Sequence, residues 1–199
     1  MKKILLIGAS GTVGRAIQAE LSRDHEVLAV THSRGDLTVD IRSDASVQAL
    51  FERCGPVDAI VSAAGRVHFA PLGEMSAEAF DIGLQDKLLG QVRLALIGQR
   101  FLRPGGSITL TSGILSAEPI RRGANASTVN AAIEGFVRAA AIELTPQRIN
   151  AISPTVLSES AEHFGDFFSG FEPAPGQRVA LAYRRSVDGA QTGQVYQVW

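Results

Sequence analysis

The hydrophobic residues of this chain fall into short runs that alternate with longer amphipathic segments. Seven runs, most of them rich in β-branched residues, have the length and composition of buried strands. These runs are Ile4 to Ile7, Glu26 to Val30, Thr38 to Asp40, Val57 to Ser62, Ser107 to Thr111, Arg148 to Ile152 and Gln194 to Val198. Between the runs, apolar residues recur at helical spacing, as in Val13, Ile17 and Leu21.

This alternation of strands and helices predicts the fold class. We expect an α/β fold with a doubly wound, mostly parallel seven-stranded sheet and helices on both faces. A long helical pattern follows Ser76 and runs from Phe80 to about Leu102, and another covers Ala131 to Leu144. Ligands of such sheets bind where loops leave the carboxyl ends of the strands. The irregular stretch from Glu159 to Gly176 is expected to form a lid over that site.

Composition limits the classes of partner. With 199 residues and a formal net charge of −1, we expect one domain over residues 1–199 that binds neither nucleic acid nor membrane. A small-molecule substrate or another protein is the expected partner. The single cysteine, Cys54, excludes an internal disulfide and lacks the neighbours of a metal site. This cysteine usage predicts that the protein is located in the reducing cytoplasm. We interpret the opening apolar run from Ile4 to Ile7 as a strand rather than an export signal.

A glycine-rich turn directly follows the first predicted strand and opens the first helix. In a Rossmann-type domain, such glycines permit a tight turn, backbone approach to a pyrophosphate and close packing of helix on strand. Exposed N–H groups and the positive end of the helix dipole then face the phosphates. The predicted contacts are Gly8, Ser10, Gly11, Thr12, Val13 and Gly14. We therefore expect an NAD(P)-binding Rossmann domain.

The end of the second strand indicates which dinucleotide is bound. An acidic residue about 20 positions beyond the glycine turn normally hydrogen-bonds the adenosine ribose of NAD. Here the residues are Thr31, His32, Ser33 and Arg34, and no carboxylate occurs before Asp36. Because a guanidinium and hydroxyls can bind a 2′-phosphate, we expect NADP(H) to be preferred over NAD(H). The alternative is a solvated arginine, with Asp36 binding the ribose hydroxyls of NAD.

Together these segments resemble the short-chain dehydrogenase/reductase family over nearly the whole chain. Asp40-Ile41 resembles its adenine-contacting pair, and Ser62-Ala63-Ala64-Gly65 after the fourth strand resembles its Asn-Asn-Ala-Gly turn, which implies cofactor contacts at Ala63, Ala64 and Gly65. Ser112 in Thr111-Ser112-Gly113 is placed like the family's catalytic serine. Asn150 to Thr155 is similar to the turn beside the nicotinamide, which implies cofactor contacts at Pro154 and Thr155. The resemblance implies oxidoreductase activity and a homodimer or homotetramer.

Departures from the family pattern affect the catalytic residues. The segment Ala126 to Gly135 aligns with the family's Tyr-x-x-x-Lys helix, so Ala126 replaces the tyrosine and Asn130 replaces the lysine. The resemblance places Asn130 beside the nicotinamide ribose. Lys87 stands where the family usually has a catalytic asparagine. The resemblance implies the fold and the cofactor of the family, but the usual proton donor is missing.

Lys87 and Ser112 are the best substitutes for the missing pair. A partly buried lysine can donate a proton near neutral pH, and a serine can polarise a carbonyl by hydrogen bonding. The alternative for Lys87 is a surface cation that only binds the ribose or stabilises the fold. The alternative for Ser112 is a polar contact that takes no part in proton transfer. His68 and His163 are weak candidates, and Tyr183 is interpreted as helix packing.

Two functions remain open from the sequence. One is an NADP(H)-dependent oxidoreductase that acts on a small carbonyl or alcohol by a non-standard catalytic set. The other is a catalytically silent dinucleotide sensor that signals to a partner, which the missing Tyr/Lys pair favours. Self-association through the helix from Ala131 to Leu144 and the helix around Leu88 to Leu102 is a separate prediction.

Overall fold

A computed structural model describes residues 1–199, except for the side chain of Asp166. The strands are β1 (Lys3–Ile7), β2 (Glu26–Thr31), β3 (Leu37–Thr38), β4 (Val57–Ser62), β5 (Leu102–Thr111), β6 (Arg148–Pro154) and β7 (Val195–Val198). They form one sheet in the order β3-β2-β1-β4-β5-β6-β7, and every neighbouring pair is parallel. The predicted doubly wound sheet is confirmed.

Helices cover both faces of the sheet. They are α1 (Thr12–Leu21), α2 (Asp44–Cys54), α3 (Ala77–Gly83), α4 (Leu89–Gly98), α5 (Ala124–Glu143), α6 (Ala161–Phe164) and α7 (Gly176–Asp188). Because alternate strand residues face opposite sides, Ile4 and Leu6 join the core under α1 and α7, whereas Leu5 and Ile7 join the core under α2, α4 and α5. Each core is continuous across the central strands.

The long helix predicted from Phe80 to about Leu102 is broken in the structure. A π-helical turn over Leu84–Leu88 separates α3 from α4, and β5 already begins at Leu102. The apolar spacing continues through the turn, so periodicity alone did not reveal it. Single π turns in helices frequently occur at functional sites, and this one contains Lys87.

Helix α5 begins at Ala124, earlier than the predicted start at Ala131. Asn125, Ser127 and Thr128 lower the helical propensity of its first turns. Tertiary contacts override that propensity, because Asn125 is fully buried and its Nδ2 donates to the carbonyl oxygen of Phe80 at 2.6 Å. The first turns of α5 are therefore anchored to α3.

The strand order places the loops that follow β1 and β4 side by side. Chain order runs outward in one direction from β1 to β3 and in the other from β4 to β7. Ligands of doubly wound sheets bind at this switch point, beyond the carboxyl ends of the strands. Among the described residues, no helix has both the length and the apolar character needed to cross a bilayer.

Candidate active site

Two cavities lie along the carboxyl ends of the strands and share the loop that follows β4. The β2-side cavity, about 250 Å³, extends over the ends of β1 and β2. The β5-side cavity, about 280 Å³, extends over the ends of β5 and β6. Ala63, Ala64 and Gly65 line both cavities. The two volumes thus form a cleft across the switch point, as an extended dinucleotide requires.

The predicted glycine turn forms the floor between the two cavities. Gly8 has φ +85°, and a Cβ added at Gly14 would lie 2.1 Å from the carbonyl oxygen of Gly8, so only glycine fits at position 14. Helix α1 begins after Gly11, and no described side chain caps its N-terminus. The first backbone N–H groups of a helix have no intrahelical partner. They are therefore free to bind the phosphates of a ligand.

Most of the predicted cofactor contacts line the cleft. Gly8, Ser10, Gly11, Thr31, His32, Asp40 and Ile41 line the β2-side cavity. Val13, Asn130, Pro154 and Thr155 line the β5-side cavity. Thr12, Gly14, Ser33 and Arg34 line neither cavity. Gly14 still shapes the turn, whereas Thr12 is the first residue of α1, and Ser33 and Arg34 belong to the loop that follows β2.

The loop after β2 is closed by Thr31. Its hydroxyl donates to the carbonyl oxygen of Arg34 and accepts from the Arg34 backbone N–H at 3.1 Å. Since a hydroxyl has one proton, Thr31 as placed cannot also donate to a phosphate. The Arg34 side chain has no hydrogen bond or ion pair among the described residues, and Arg34 is exposed. Its guanidinium therefore remains available to an anion.

Arg42 is a cation of the β2-side cavity that the sequence interpretation missed. Its Nε and Nη2 donate to the two carboxylate oxygens of Asp40 at 3.0 and 2.9 Å. These bonds lower the pKa of Asp40 to about 2. A paired carboxylate and guanidinium at the adenosine side of the cleft can recognise a base edge or ribose without leaving a net charge.

Lys87 projects into the β5-side cavity from the π-helical turn. Its Nζ donates to the carbonyl oxygen of Ser112 at 3.0 Å and to Oδ1 of Asn130 at 2.8 Å. The residue keeps some accessible surface toward the cavity, but surrounding protein atoms desolvate the ammonium and lower its pKa from 10.5 to about 8. An ammonium has three protons, so one remains for a ligand.

Gly65 permits this position of the lysine. Its φ is +119°, and an added Cβ would lie 2.6 Å from the Cα of Lys87. The loop after β4 can therefore lie directly on the π-helical turn. The resemblance aligned Lys87 with the family asparagine and Asn130 with the family lysine. The structure brings these two residues into direct hydrogen-bond contact.

Ser112 lies in the wall of the β5-side cavity, as predicted, but its hydroxyl is engaged. It is almost fully buried and donates to Oε1 of Glu134 at 2.9 Å. Glu134 was missed in the sequence. A signal was present, because Asn130, Glu134 and Arg138 are spaced four residues apart and so share one face of α5.

The position aligned with the family tyrosine is filled by apolar packing. Ala126 is buried and packs with Ile114 and Leu115 in the cavity wall. His68 contributes its backbone N–H to Oδ1 of Asn125 at 2.9 Å, and its ring does not line the cavity. Tyr183 is fully buried in α7, and its hydroxyl contacts Oγ1 of Thr111. Its interpretation as helix packing agrees with this position.

The predicted lid segment forms part of the cavity wall. Ser160, Phe164 and Phe168 line the β5-side cavity. The Phe164 ring lies 6.5 Å from that of Phe69, centroid to centroid. Phe164 and Phe168 thus form an apolar part of the cavity wall, whereas His163 is exposed on α6.

The described residues fit a nicotinamide dinucleotide. The turn at Gly14 leaves no room for a Cβ, and α1 presents an uncapped N-terminus to the cleft. In the β5-side cavity, the hydroxyl of Thr155 is buried without a hydrogen-bond partner among the described residues. An unpaired buried hydroxyl is costly unless a ligand or water satisfies it. Thr155 is therefore suited to a polar group of the nicotinamide half.

Comparison with known proteins identifies the family. Residues 10–196 match the family described as enoyl-(acyl carrier protein) reductase. The crystal structure of the protein lin1944 from Listeria innocua is 46% identical, covers 100% of both chains and has a TM-score of 0.98. A small-chain dehydrogenase in complex with NADPH is 27% identical over 98% of this chain and 95% of its own, with a TM-score of 0.89. L-Xylulose reductase from Homo sapiens is 26% identical over 80% of this chain and 73% of its own.

The chain therefore belongs to the short-chain dehydrogenase/reductase family, whose members are oxidoreductases that use a nicotinamide dinucleotide. The resemblance stated from the sequence is confirmed.

Proposed function

We propose that this protein is an NADP(H)-dependent oxidoreductase that acts on a small carbonyl or alcohol with Lys87 in place of the missing tyrosine. The observation that carries the proposal is the desolvated ammonium of Lys87, with a pKa of about 8, in the wall of the β5-side cavity. General acids work best when their pKa lies near the operating pH. Lys87 meets that condition, and two hydrogen bonds fix its position.

The reduced nicotinamide supplies a hydride when bound, and the protein must supply a proton. Lys87 donates that proton to the substrate oxygen, while Asn130 and the Ser112 carbonyl hold its Nζ in place. Ser112 and Thr155 are the polar side chains that position the substrate and the nicotinamide half. Phe164 and Phe168 give the same cavity an apolar wall.

The cavity restricts the substrate to a small molecule. Its volume of about 280 Å³ must hold both the nicotinamide ring and the reacting group. Most of its other lining residues are apolar, among them Val67, Ile114 and Leu115. A polar corner at Lys87 and an apolar remainder suit a carbonyl compound with a short hydrocarbon part.

NADP(H) is the proposed cofactor. The exposed cation Arg34 is unpaired among the described residues, and the two carboxylates that line the β2-side cavity, Asp40 and Asp86, are already paired with Arg42 and Arg66. A related small-chain dehydrogenase has been solved with NADPH. Both observations favour a cofactor with a 2′-phosphate.

The proposal is tested by NADPH oxidation against a panel of aldehydes, ketones and quinones. Lys87→Met should lower kcat roughly 100-fold to 10,000-fold, the range of general acid catalysis, with a change of less than about threefold in the Kd of NADPH. Ser112→Ala should lower kcat moderately. Lys2→Met is the matched control, because Lys2 pairs with Asp188 outside the cleft. Unchanged turnover in both Lys87→Met and Ser112→Ala would refute the catalytic assignment.

A dinucleotide sensor is the second candidate, and one observation favours it. Ala126 fills the tyrosine position with a methyl group in an apolar cluster. If the sensor assignment is correct, calorimetry will show tight NADPH binding while no member of the carbonyl panel is reduced.

A further inference from the structure

Glu134 is a buried carboxylate, and among its described hydrogen bonds the one to a residue of the cavity wall is with Ser112. It is 9% exposed on α5. Its Oε1 lies 2.9 Å from the Ser112 hydroxyl and 2.6 Å from the Ser116 hydroxyl. Its Oε2 accepts from Arg138 at 3.3 Å. Every described contact of Glu134 is with a hydrogen-bond donor, as a carboxylate requires.

This arrangement fixes the polarity of Ser112. A hydroxyl has one proton and two lone pairs, and the proton of Ser112 is donated to Glu134. Toward the cavity, Ser112 can therefore offer only a lone pair. Lys87 is the opposite case, because an ammonium offers protons and no lone pair. Its Nζ lies 3.0 Å from the Ser112 carbonyl oxygen, so the donor and the acceptor belong to the same corner of the cavity.

We propose that Glu134 is a positioning residue that holds Ser112 as an acceptor, so that the site takes α-hydroxy carbonyl substrates. The carbonyl oxygen accepts from Lys87, and the neighbouring hydroxyl donates to Oγ of Ser112. A ketone without the neighbouring hydroxyl leaves the buried lone pair of Ser112 without a hydrogen bond. Such a ketone therefore binds more weakly than the α-hydroxy ketone. This inference rests on the proposed function and specifies its substrate class.

The test compares two ketones that differ by one hydroxyl group. Methyl isopropyl ketone and its tertiary α-hydroxy analogue have nearly the same shape, and the tertiary alcohol cannot be oxidised because its carbon carries no hydrogen. We expect kcat/KM for the hydroxy ketone to be at least about tenfold higher, the effect of one buried hydrogen bond. Equal values for the two ketones would overturn the inference.

The decisive variant is Glu134→Gln, which keeps the shape of the side chain. Arg138 donates to the Oε2 position, so the amide oxygen will face Arg138 and the amide nitrogen will face Ser112 and Ser116. The amide then donates to Ser112, whose proton becomes free to bind a carbonyl. We expect the preference for the hydroxy ketone to fall to within about twofold. A structural defect alone would lower the values for both ketones equally.

Ser116→Ala is the matched control, because it removes the other hydroxyl on the same carboxylate oxygen and leaves the Ser112 contact in place. It should keep the native preference. Ser112→Ala should lose the preference, and a preference retained in either Ser112→Ala or Glu134→Gln would contradict the inference.

A binding measurement separates this inference from the proposed function. Calorimetry on the NADP⁺-loaded protein requires no turnover, since neither ketone can react with the oxidised cofactor. Tighter binding of the hydroxy ketone, by about tenfold, supports the inference even if the protein proves to be a sensor. Turnover of both ketones without a preference would refute the inference and leave the oxidoreductase assignment intact.

Discussion

If Lys87 is the proton donor, the turnover of this protein must fall as that lysine loses its proton. Burial lowers the pKa of Lys87 to about 8. With that pKa, roughly 90% of the side chains are charged at pH 7 and roughly 10% at pH 9. The kcat/KM for carbonyl reduction, which reports the pKa of groups in the protein without substrate, should therefore be about ten times lower at pH 9 than at pH 7. Above pH 9 it should fall about tenfold with each further pH unit.

The assay follows NADPH oxidation from pH 6.5 to pH 10, at saturating cofactor and at carbonyl concentrations well below KM, so that the rate gives kcat/KM. Lys87→Met should show low activity without this alkaline limb, and the Lys2→Met control should keep the native profile. The reasoning would be refuted by a native kcat/KM that stays level through pH 9, or by a Lys87→Met variant whose kcat/KM still falls at alkaline pH.

The same pKa shift should be visible in the stability of the protein without substrate. The folded pKa of Lys87 is lowered from 10.5 to about 8, so between these values the unfolded chain binds more protons and stability rises with pH. The shift corresponds to roughly 3 kcal/mol at most, and the open cavity reduces this to about 1 to 2 kcal/mol. The free energy of unfolding of the native protein should increase by that amount relative to Lys87→Met between pH 8 and pH 10.5.

Three further predictions concern the turn, the core and the surface. Gly14→Ala places a Cβ 2.1 Å from the carbonyl oxygen of Gly8, so calorimetry should show NADPH affinity reduced at least about tenfold. Tyr183→Phe removes the hydroxyl that contacts Thr111, and urea denaturation should show a loss of about 1 to 2 kcal/mol. Ile142 is 82% exposed on α5; if α5 mediates self-association, light scattering will give a dimer or tetramer for the native chain and a monomer for Ile142→Asp.

The fold was predictable because its signals are local. Except for the short β3, each strand appears as a short apolar run, and the turn after β1 requires residues without side chains at Gly8 and Gly14. The differences arose where tertiary contacts decide the structure. The π-helical turn at Lys87 leaves the apolar spacing unchanged, and the early start of α5 depends on Asn125 bonding to α3. Neither the π-helical turn nor the hydrogen bond of Asn125 can be inferred from neighbouring residues in the sequence.

The candidate site was predictable as a set of positions but not as a hydrogen-bond network. Lys87, Asn130 and Ser112 were each expected near the nicotinamide, and the structure brings them together. The sequence did not show that the Ser112 proton is donated to Glu134, because that contact joins the end of β5 to the third turn of α5. Donor and acceptor roles depend on such contacts, which a motif does not encode.

The cofactor preference depends on two arginines whose surroundings differ. Arg34 is exposed and unpaired among the described residues, whereas Arg42 is bound to Asp40 through two hydrogen bonds. A 2′-phosphate gains a charge-assisted bond from Arg34 without breaking an existing pair, but it must compete with Asp40 for Arg42. Arg34 should therefore contribute more to discrimination than Arg42.

Calorimetric titration with NADPH and NADH can test this order. Arg34→Ala should weaken NADPH binding roughly tenfold to hundredfold, the value of one charge-assisted hydrogen bond, with little change for NADH. Arg42→Ala should change the affinities for NADPH and NADH by similar factors. The substitution mainly removes the partner of Asp40, which lies at the cavity expected to hold the adenosine half that both cofactors share. Arg53→Ala, an exposed arginine at the end of α2, controls for the loss of one positive charge. A native protein that binds both cofactors equally, or an Arg34→Ala variant that keeps its preference, would show that the loop after β2 does not recognise the phosphate.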